Sequence, residues 1–212
     1  MCLDFTQAHT NFLFYKPYLM QPLFDLLGKY NLLTIVSKEL LPTLLIGWDV
    51  GKNHIILKEG QVCRHIYFIK SGLIRIYYDL DDKEVTSWLL KEGDIFIEVE
   101  SFFGQVPSRK SIMALEDTEL LGITYDQLQD LCIKDPDFLW NRVYITEEYY
   151  RRSEQMHMDM LMKSSFEKYK TLMKTAPGLL ERVPLKYLYS YLGLSKASFD
   201  RARSKYASGA VR

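Results

Sequence analysis

The stretch HIYFIKSGLIRIYYDLDDKEVTSWLLKEG, residues 65–93, decides how the middle of this chain folds. It divides into HIYFIKSG (65–72), LIRIYYDL (73–80) and EVTSWLLKEG (84–93), with DLDDKE (79–84) as a polar hairpin tip. Val, Ile, Tyr and Phe dominate these runs, and such side chains suit a pleated, half-buried surface. Gly60, Gly72 and Gly93 each close a run two places after a lysine, which punctuates strands with turns. Within 73–78, Ile74, Ile76 and Tyr78 alternate with Arg75 and Tyr77, predicting a strand with one buried face. HIILKEG (54–60), SIMALED (111–117) and ELLGIT (119–124) repeat the pattern. Roughly seven short strands with regular turns predict a closed or rolled antiparallel sheet.

Helical patterns flank this region. Residues 23–42 read as helix, with Phe24, Leu26, Leu27 and Tyr30 as its apolar stripe and Ser37 capping a second short helix. After the strands, Thr124 and Gln127 have the spacing of a capping box, opening a helix through TYDQLQDLCIKD. Asp135-Pro136 then supplies an N-cap and a first-turn proline for a long helix reaching about Lys163. Leu139, Val143, Thr146, Tyr150, Ser153, His157 and Met160 recur on it at a spacing that forms a seam. Ser164 and Glu167 start another helix, which Ala176-Pro177-Gly178 ends. The class is α+β: an N-terminal antiparallel, jelly-roll-like β-roll with flanking helices, a long helix, and a small helical C-terminal domain. The expected divisions are an N-terminal extension over 1–22, a sensor domain over 23–134, a connecting helix over 135–163 and a last domain over 164–212.

The 212 residues are 48% hydrophobic and 14% aromatic, a composition that folds around a core. No uninterrupted apolar run approaches the ~20 residues of a membrane helix. The N-terminal extension lacks a basic start and carries Asp4, His9 and Lys16 among its apolar residues, unlike a signal peptide. Cys2, Cys63 and Cys132 are odd in number and far apart, which predicts free thiols in a reducing cytoplasm. The net charge of zero conceals an asymmetry: residues 151–212 hold 13 Lys/Arg against 5 Asp/Glu. An acidic body with a basic end fits a sensor joined to a nucleic-acid reader.

VPLKYLYSYLGLSKASFDRARSKY (183–206) gives that reader a form. Pro184 starts a helix with Leu185, Leu188 and Leu192 on one face, and Gly193 ends it in a tight turn. Ser195 caps the next helix, which buries Phe199, Ala202 and Tyr206 and exposes Lys196, Ser198, Arg201 and Lys205. Two short amphipathic helices about a glycine turn, the second basic and hydroxyl-rich, predict a helix-turn-helix.

Taken together, ILKEGQVCRHIYFIKSGLIRIYY, GDIFIEVESF (93–102), ALED (114–117) and LKYLYSYLGLSKASFDRAR resemble the Crp/Fnr regulators over roughly residues 40–206. The resemblance implies a transcription regulator and not an enzyme. It implies a homodimer joined along the long helix, double-stranded DNA and RNA polymerase as partners, and half-sites roughly 34 Å apart. By position, Lys196, Ala197 and Arg201 fall where the family reads bases, while Ser195, Ser198 and Lys205 fall near phosphates. Ala197 replaces a common glutamate and Asp200 adds a carboxylate to the reading helix. Little chain follows Tyr206 to form the family's wing.

In relatives that bind cyclic AMP, a Gly-Glu pair takes the ribose and an arginine with a following hydroxyl residue clamps the phosphate. Here Glu98 keeps the acid, Ile97 replaces the glycine, and Ser108 stands at the arginine position with Arg109 beside it. In an extended segment one step turns a side chain to the other face, so Arg109 is expected to point away. Ser153 and Glu154 occupy the place of adenine-binding hydroxyls. The expected effector is therefore a small molecule other than cyclic AMP, or none, and no cofactor is expected. His9, His54, His65 and His157 lie in no paired haem-ligand motif, and no catalytic pair or phosphate loop is visible. A second reading stays open: a signalling module of the same architecture that has lost sequence-specific DNA binding.

Overall fold

The computed structural model describes residues 20–81 and 83–209. Most of the N-terminal extension, with Cys2 and His9, lies outside them. Eight strands build the roll: β1 (Ile46–Val50), β2 (Ile55–Leu57), β3 (His65–Ser71), β4 (Leu73–Leu80), β5 (Lys83–Lys91), β6 (Ile95–Phe96), β7 (Ser111–Ala114) and β8 (Thr118–Thr124). They form two four-stranded sheets, ordered β1-β8-β3-β6 and β2-β7-β4-β5, with antiparallel pairing throughout. The expected rolled antiparallel sheet is present. The strand patterns missed β1, whose IGWDV carries a glycine and an aspartate, and the two-residue β6. At Gly72 the chain leaves one sheet for the other with φ +110°, and a Cβ there would lie 2.3 Å from the Thr118 hydroxyl. Only glycine fits this crossing.

Nine helices are found among the described residues. Helices α1 (Gln21–Gly28) and α2 (Ile35–Leu44) precede the roll, and α3 (Val99–Gly104) interrupts it between β6 and β7. The cap of α2 is Thr34, which accepts from the Ser37 N–H, so the helix starts two residues before the expected Ser37. Ser37 is instead buried in the first turn, where it and Thr34 both donate to the Asp135 carboxylate. After the roll come α4 (Tyr125–Lys134), α5 (Pro136–Met162), α6 (Ser165–Thr175), α7 (Leu179–Arg182), α8 (Leu185–Tyr191) and α9 (Lys196–Ala207). Both capping boxes form, Thr124 with Gln127 on α4 and Ser164 with Glu167 on α6.

The core of the roll takes Phe68, Ile69, Ile74, Ile76, Leu90 and Phe96 from the sheets. Along α5 a helical stripe of Phe138, Ile145, Tyr149 and Met156 packs against that core. Buried Asn141 faces the Leu27 and Asn31 carbonyls at 2.7 and 3.3 Å, donating its amide hydrogens and stapling α5 to α1. Leu139, Thr146, Tyr150 and His157 of the expected seam point to solvent. Met160 is exposed too, at 36%, although its sulfur lies near the C-terminal turn, where a Cβ at Gly193 would meet it at 3.1 Å.

One expectation fails in a telling way. β4 was expected to bury a single face, yet Leu73 through Tyr77 are all buried. Ile74 and Ile76 point into the roll, while Leu73 and Tyr77 join a second apolar cluster with Leu89, Met113, Leu115 and residues of α6 to α9. The C-terminal helices cover the outer face of this sheet, so a side chain that alternation assigns to water is enclosed.

Candidate nucleic-acid interface and effector pocket

Two turn signals place the last pair of helices. Gly193 adopts φ +63°, its N–H donates to the Ser190 carbonyl, and Leu194 N–H reaches the Tyr189 carbonyl. This left-handed residue ends α8 and re-aims the chain. Ser195 then caps α9, accepting from the Ser198 N–H at 3.2 Å. Phe199 and Ala202 anchor α9 inward, and Phe199 meets Tyr169 of α6 edge to face at 5.3 Å between centroids. Tyr206 was expected to be buried; it lies against Tyr169 at 5.6 Å with 37% of its surface exposed. On α8, Leu188 and Leu192 are buried but Leu185 is exposed, so the apolar face is shorter than expected.

The opposite face of α9 is open. Lys196, Arg201 and Lys205 are exposed, with Ala197 and Asp200 beside them. Ser198 is half-buried and accepts from both the Ser195 hydroxyl and Arg201 Nη2, each at 3.0 Å. Lys205 Nζ stands 4.5 Å from the Phe166 ring centroid. Ser165, Phe166, Ser198, Arg201 and Lys205 line a shallow groove between α6 and α9. All five sequence-predicted DNA contacts thus lie on one helix and its cap, and three of them are cations in water.

Of the sequence-predicted effector residues, Arg109 stands apart from the other three. Glu98 is buried and caps α3 by accepting from the Ser101 N–H at 2.8 Å. Ser108 is also buried, but its hydroxyl accepts from Lys110 N–H and donates to Lys110 O, closing on its own backbone. Arg109 points outward as expected, though from a bend and not an extended segment, 77% exposed and 3.7 Å from Glu100. Ser153 is half-buried on α5. The residue that reaches Glu98 is Lys110, which had not been singled out: its Nζ lies 3.0 Å from Glu98 Oε1. It also lies 5.1 Å from the Tyr78 ring centroid. Burial alone would lower the Lys110 ammonium, but hydrogen bonding and attraction from Glu98 outweigh it and hold the pKa above the usual lysine value. Tyr149 of α5 stands close enough to feel both charges, and its ring packs on Trp88 at 5.2 Å. Residues 108–110 form a bend ahead of β7, in which the Ser108 hydroxyl holds the Lys110 backbone while Arg109 faces out and Lys110 faces Glu98.

His65 packs edge-on against Trp48, centroids 5.2 Å apart, and burial lowers its pKa. Cys63 is a free buried thiol pushed up to about 11 by burial. Among the described residues, no helix is long and apolar enough to cross a membrane.

Residues 48–135 match the family model of the cyclic nucleotide-binding domain. The structure of FixK2 from Bradyrhizobium japonicum superposes with a TM-score of 0.65 at 19% identity, covering 78% of this chain and 86% of that one. A structure from Eubacterium rectale assigned to the Crp/Fnr family also gives 0.65, at 20% identity over 85% of this chain and 87% of that one. The anaerobic regulatory protein of Bacillus subtilis is 26% identical over 125 residues. That match covers 58% of this chain and 52% of the relative, so this chain spans about half of its length. Fold and comparisons define the class: a cyclic nucleotide-binding roll followed by a long helix and a C-terminal helical pair. Within it, the chain has the fold of Crp/Fnr regulators, and the resemblance read from its sequence is borne out.

Proposed function

We propose that the chain is a Crp/Fnr-type transcription regulator in which α9 enters the major groove of double-stranded DNA. The observation that carries this reading is the open basic face of α9, where Lys196, Arg201 and Lys205 are exposed while Phe199 and Ala202 anchor the helix behind them. Arg201 is of the type that grips a guanine bidentately. Ser195, Ser198 and Lys205 are placed for phosphates. Residues 164–212 are then the DNA-binding domain, 23–134 the sensor and 135–163 the link. The exposed stripe from Leu139 to His157 supports a homodimer seam along α5. RNA polymerase is the further partner this reading brings, and the cytoplasm its compartment.

The sensor reads something other than cyclic AMP, or nothing small at all. The Glu98–Lys110 pair supports this, because the acid that a ribose would need is already held by a lysine. A cyclic phosphate entering beside Glu98 would have to break the pair before gaining a cation of its own.

A second reading, a signalling module without sequence-specific DNA binding, draws on Ala197 and Asp200 in the reading face. Binding to the duplex upstream of the chain's own gene and to random duplex at one salt concentration separates the two. The regulator reading expects a preference of about 10³ or more for the true site. Equal binding to both duplexes favours the module.

A further inference from the structure

The two serines at the start of α9 spend their hydroxyls on each other and on Arg201. Ser195 Oγ accepts the Ser198 N–H at 3.2 Å and donates its own hydrogen to Ser198 Oγ at 3.0 Å. A serine hydroxyl has one hydrogen to give, so Ser195 reaches another acceptor only by giving up this bond. Ser198 Oγ takes a second donor, Arg201 Nη2 at 3.0 Å, and keeps its own hydrogen. Ser198 is half-buried and the cap fixes its backbone, while Arg201 above it is exposed.

Ser198 and Arg201 are three residues apart and share a helix face, which residues one apart do not. The guanidinium accordingly turns to this hydroxyl, although the carboxylate of Asp200 is its neighbour in the chain. Lys205, four places further on, carries a like charge on the same face, and like charges at that spacing repel. Its Nζ stands 4.5 Å from the Phe166 ring centroid on α6, so one cation leans to α6 and the other back toward the start of α9. The positive end of the helix dipole disfavours a cation there. The Ser198 hydroxyl is therefore the group that holds Arg201 in place.

We propose that Ser198 is a positioning residue: it grips one corner of the Arg201 guanidinium and presents the remaining N–H groups outward as a fixed fork. An arginine has five such donors, of which one is spent here and two suffice for a guanine edge. A side chain held before contact loses less rotamer freedom on binding, so Ser198 acts on the choice between duplexes through Arg201. That consequence rests on the reading of α9 above. The hold on Arg201 does not.

The hold is read without DNA, by NMR relaxation of the Arg201 Nε–H bond in the full chain. Arg203, exposed on the same helix, is the internal reference. In the parent, the order parameter of Arg201 should stand above that of Arg203. In Ser198→Ala it should drop to the Arg203 value, and in Ser198→Thr, which keeps a hydroxyl, it should hold. Ser195 still caps the helix in both variants, so the backbone of α9 should stay as ordered as in the parent. Equal order at the two arginines in the parent, or no drop in Ser198→Ala, overturns the proposal.

Duplex titrations then read the consequence. Ser198→Ala is expected to lose about threefold to tenfold more affinity for a preferred duplex than for random duplex, an excess that should vanish in an Arg201→Ala background. Equal loss on both duplexes, as a phosphate contact alone would give, or an excess that survives without Arg201, overturns the role in discrimination. If the parent itself prefers no duplex, the reading of α9 fails, while the relaxation of Arg201 still decides what holds that side chain.

Discussion

Two cations, one on each side of the same sheet, are paired in opposite ways. Lys110, facing α5, is half-buried at 18% exposed, and its partner Glu98 is only 1% exposed, so the anion of that pair is enclosed. Arg75, under α8, is fully enclosed while its partner Glu84 is 42% exposed. Breaking a pair whose anion is enclosed strands that charge, whereas a pair with its anion in water leaves it solvated.

The largest effect expected from this contrast is at Lys110. Lys110→Ala strands Glu98 without its cation and should destabilise the chain by about 3–5 kcal/mol in denaturant unfolding. The double change Glu98→Gln with Lys110→Met should recover most of that loss. A single variant as stable as the parent would mean that Glu98 reaches water. Next comes Arg201→Ala, which touches neither pair and should weaken binding to a preferred duplex by about 1–3 kcal/mol in anisotropy titrations, leaving unfolding unchanged. A smaller effect is expected in acid. Hydrogen bonds from Arg182 hold the Glu92 carboxyl below the usual range, against a weaker push from burial. A folded-state pKa below the unfolded value means that the stabilisation is present above about pH 4.3 and is lost as pH falls through the lowered value. Arg182→Met should therefore lose stability less steeply than the parent between about pH 5 and 3. Parallel pH profiles would show that the bridge contributes nothing to the outer interface. Cyclic AMP should leave the melting temperature where it is; a rise at saturating nucleotide would show that the Glu98–Lys110 pair opens for it.

Much of the fold was readable because its signals are local. Glycine-punctuated β-rich runs, two capping boxes and Pro136 each fix a few residues by their own chemistry, and the structure has them where the patterns put them; Asp135 holds the N-cap position of α5, but its carboxylate accepts from Thr34 and Ser37 and does not cap the helix. β1 and β6 escaped because neither carries an apolar alternation long enough to read. The failure at Arg75 and Tyr77 is of another kind. Period-two alternation reports what one sheet does alone, and these side chains are buried by α8, which lies more than a hundred residues away in sequence. In the candidate site, Lys196, Arg201 and Lys205 were legible because a capped amphipathic helix separates its faces by spacing. Lys110 was not legible, because the bend at 108–110 and the fold that brings Glu98 to it leave no local spacing signal. Nothing in the sequence near Arg182 announces its carboxylate partners at Glu92 and Glu116, since only the folded roll brings them to it.

The reading of α9 is tested most directly by how duplex binding depends on salt. The measurement compares the parent chain with a Lys196→Ala, Arg201→Ala and Lys205→Ala variant from about 50 to 200 mM salt. The parent should bind with affinity that falls steeply as salt rises, and the variant should bind more weakly with a slope shallower by about one for each phosphate contact removed. Equal affinities and slopes for the two proteins would contradict the assignment of this helix to DNA.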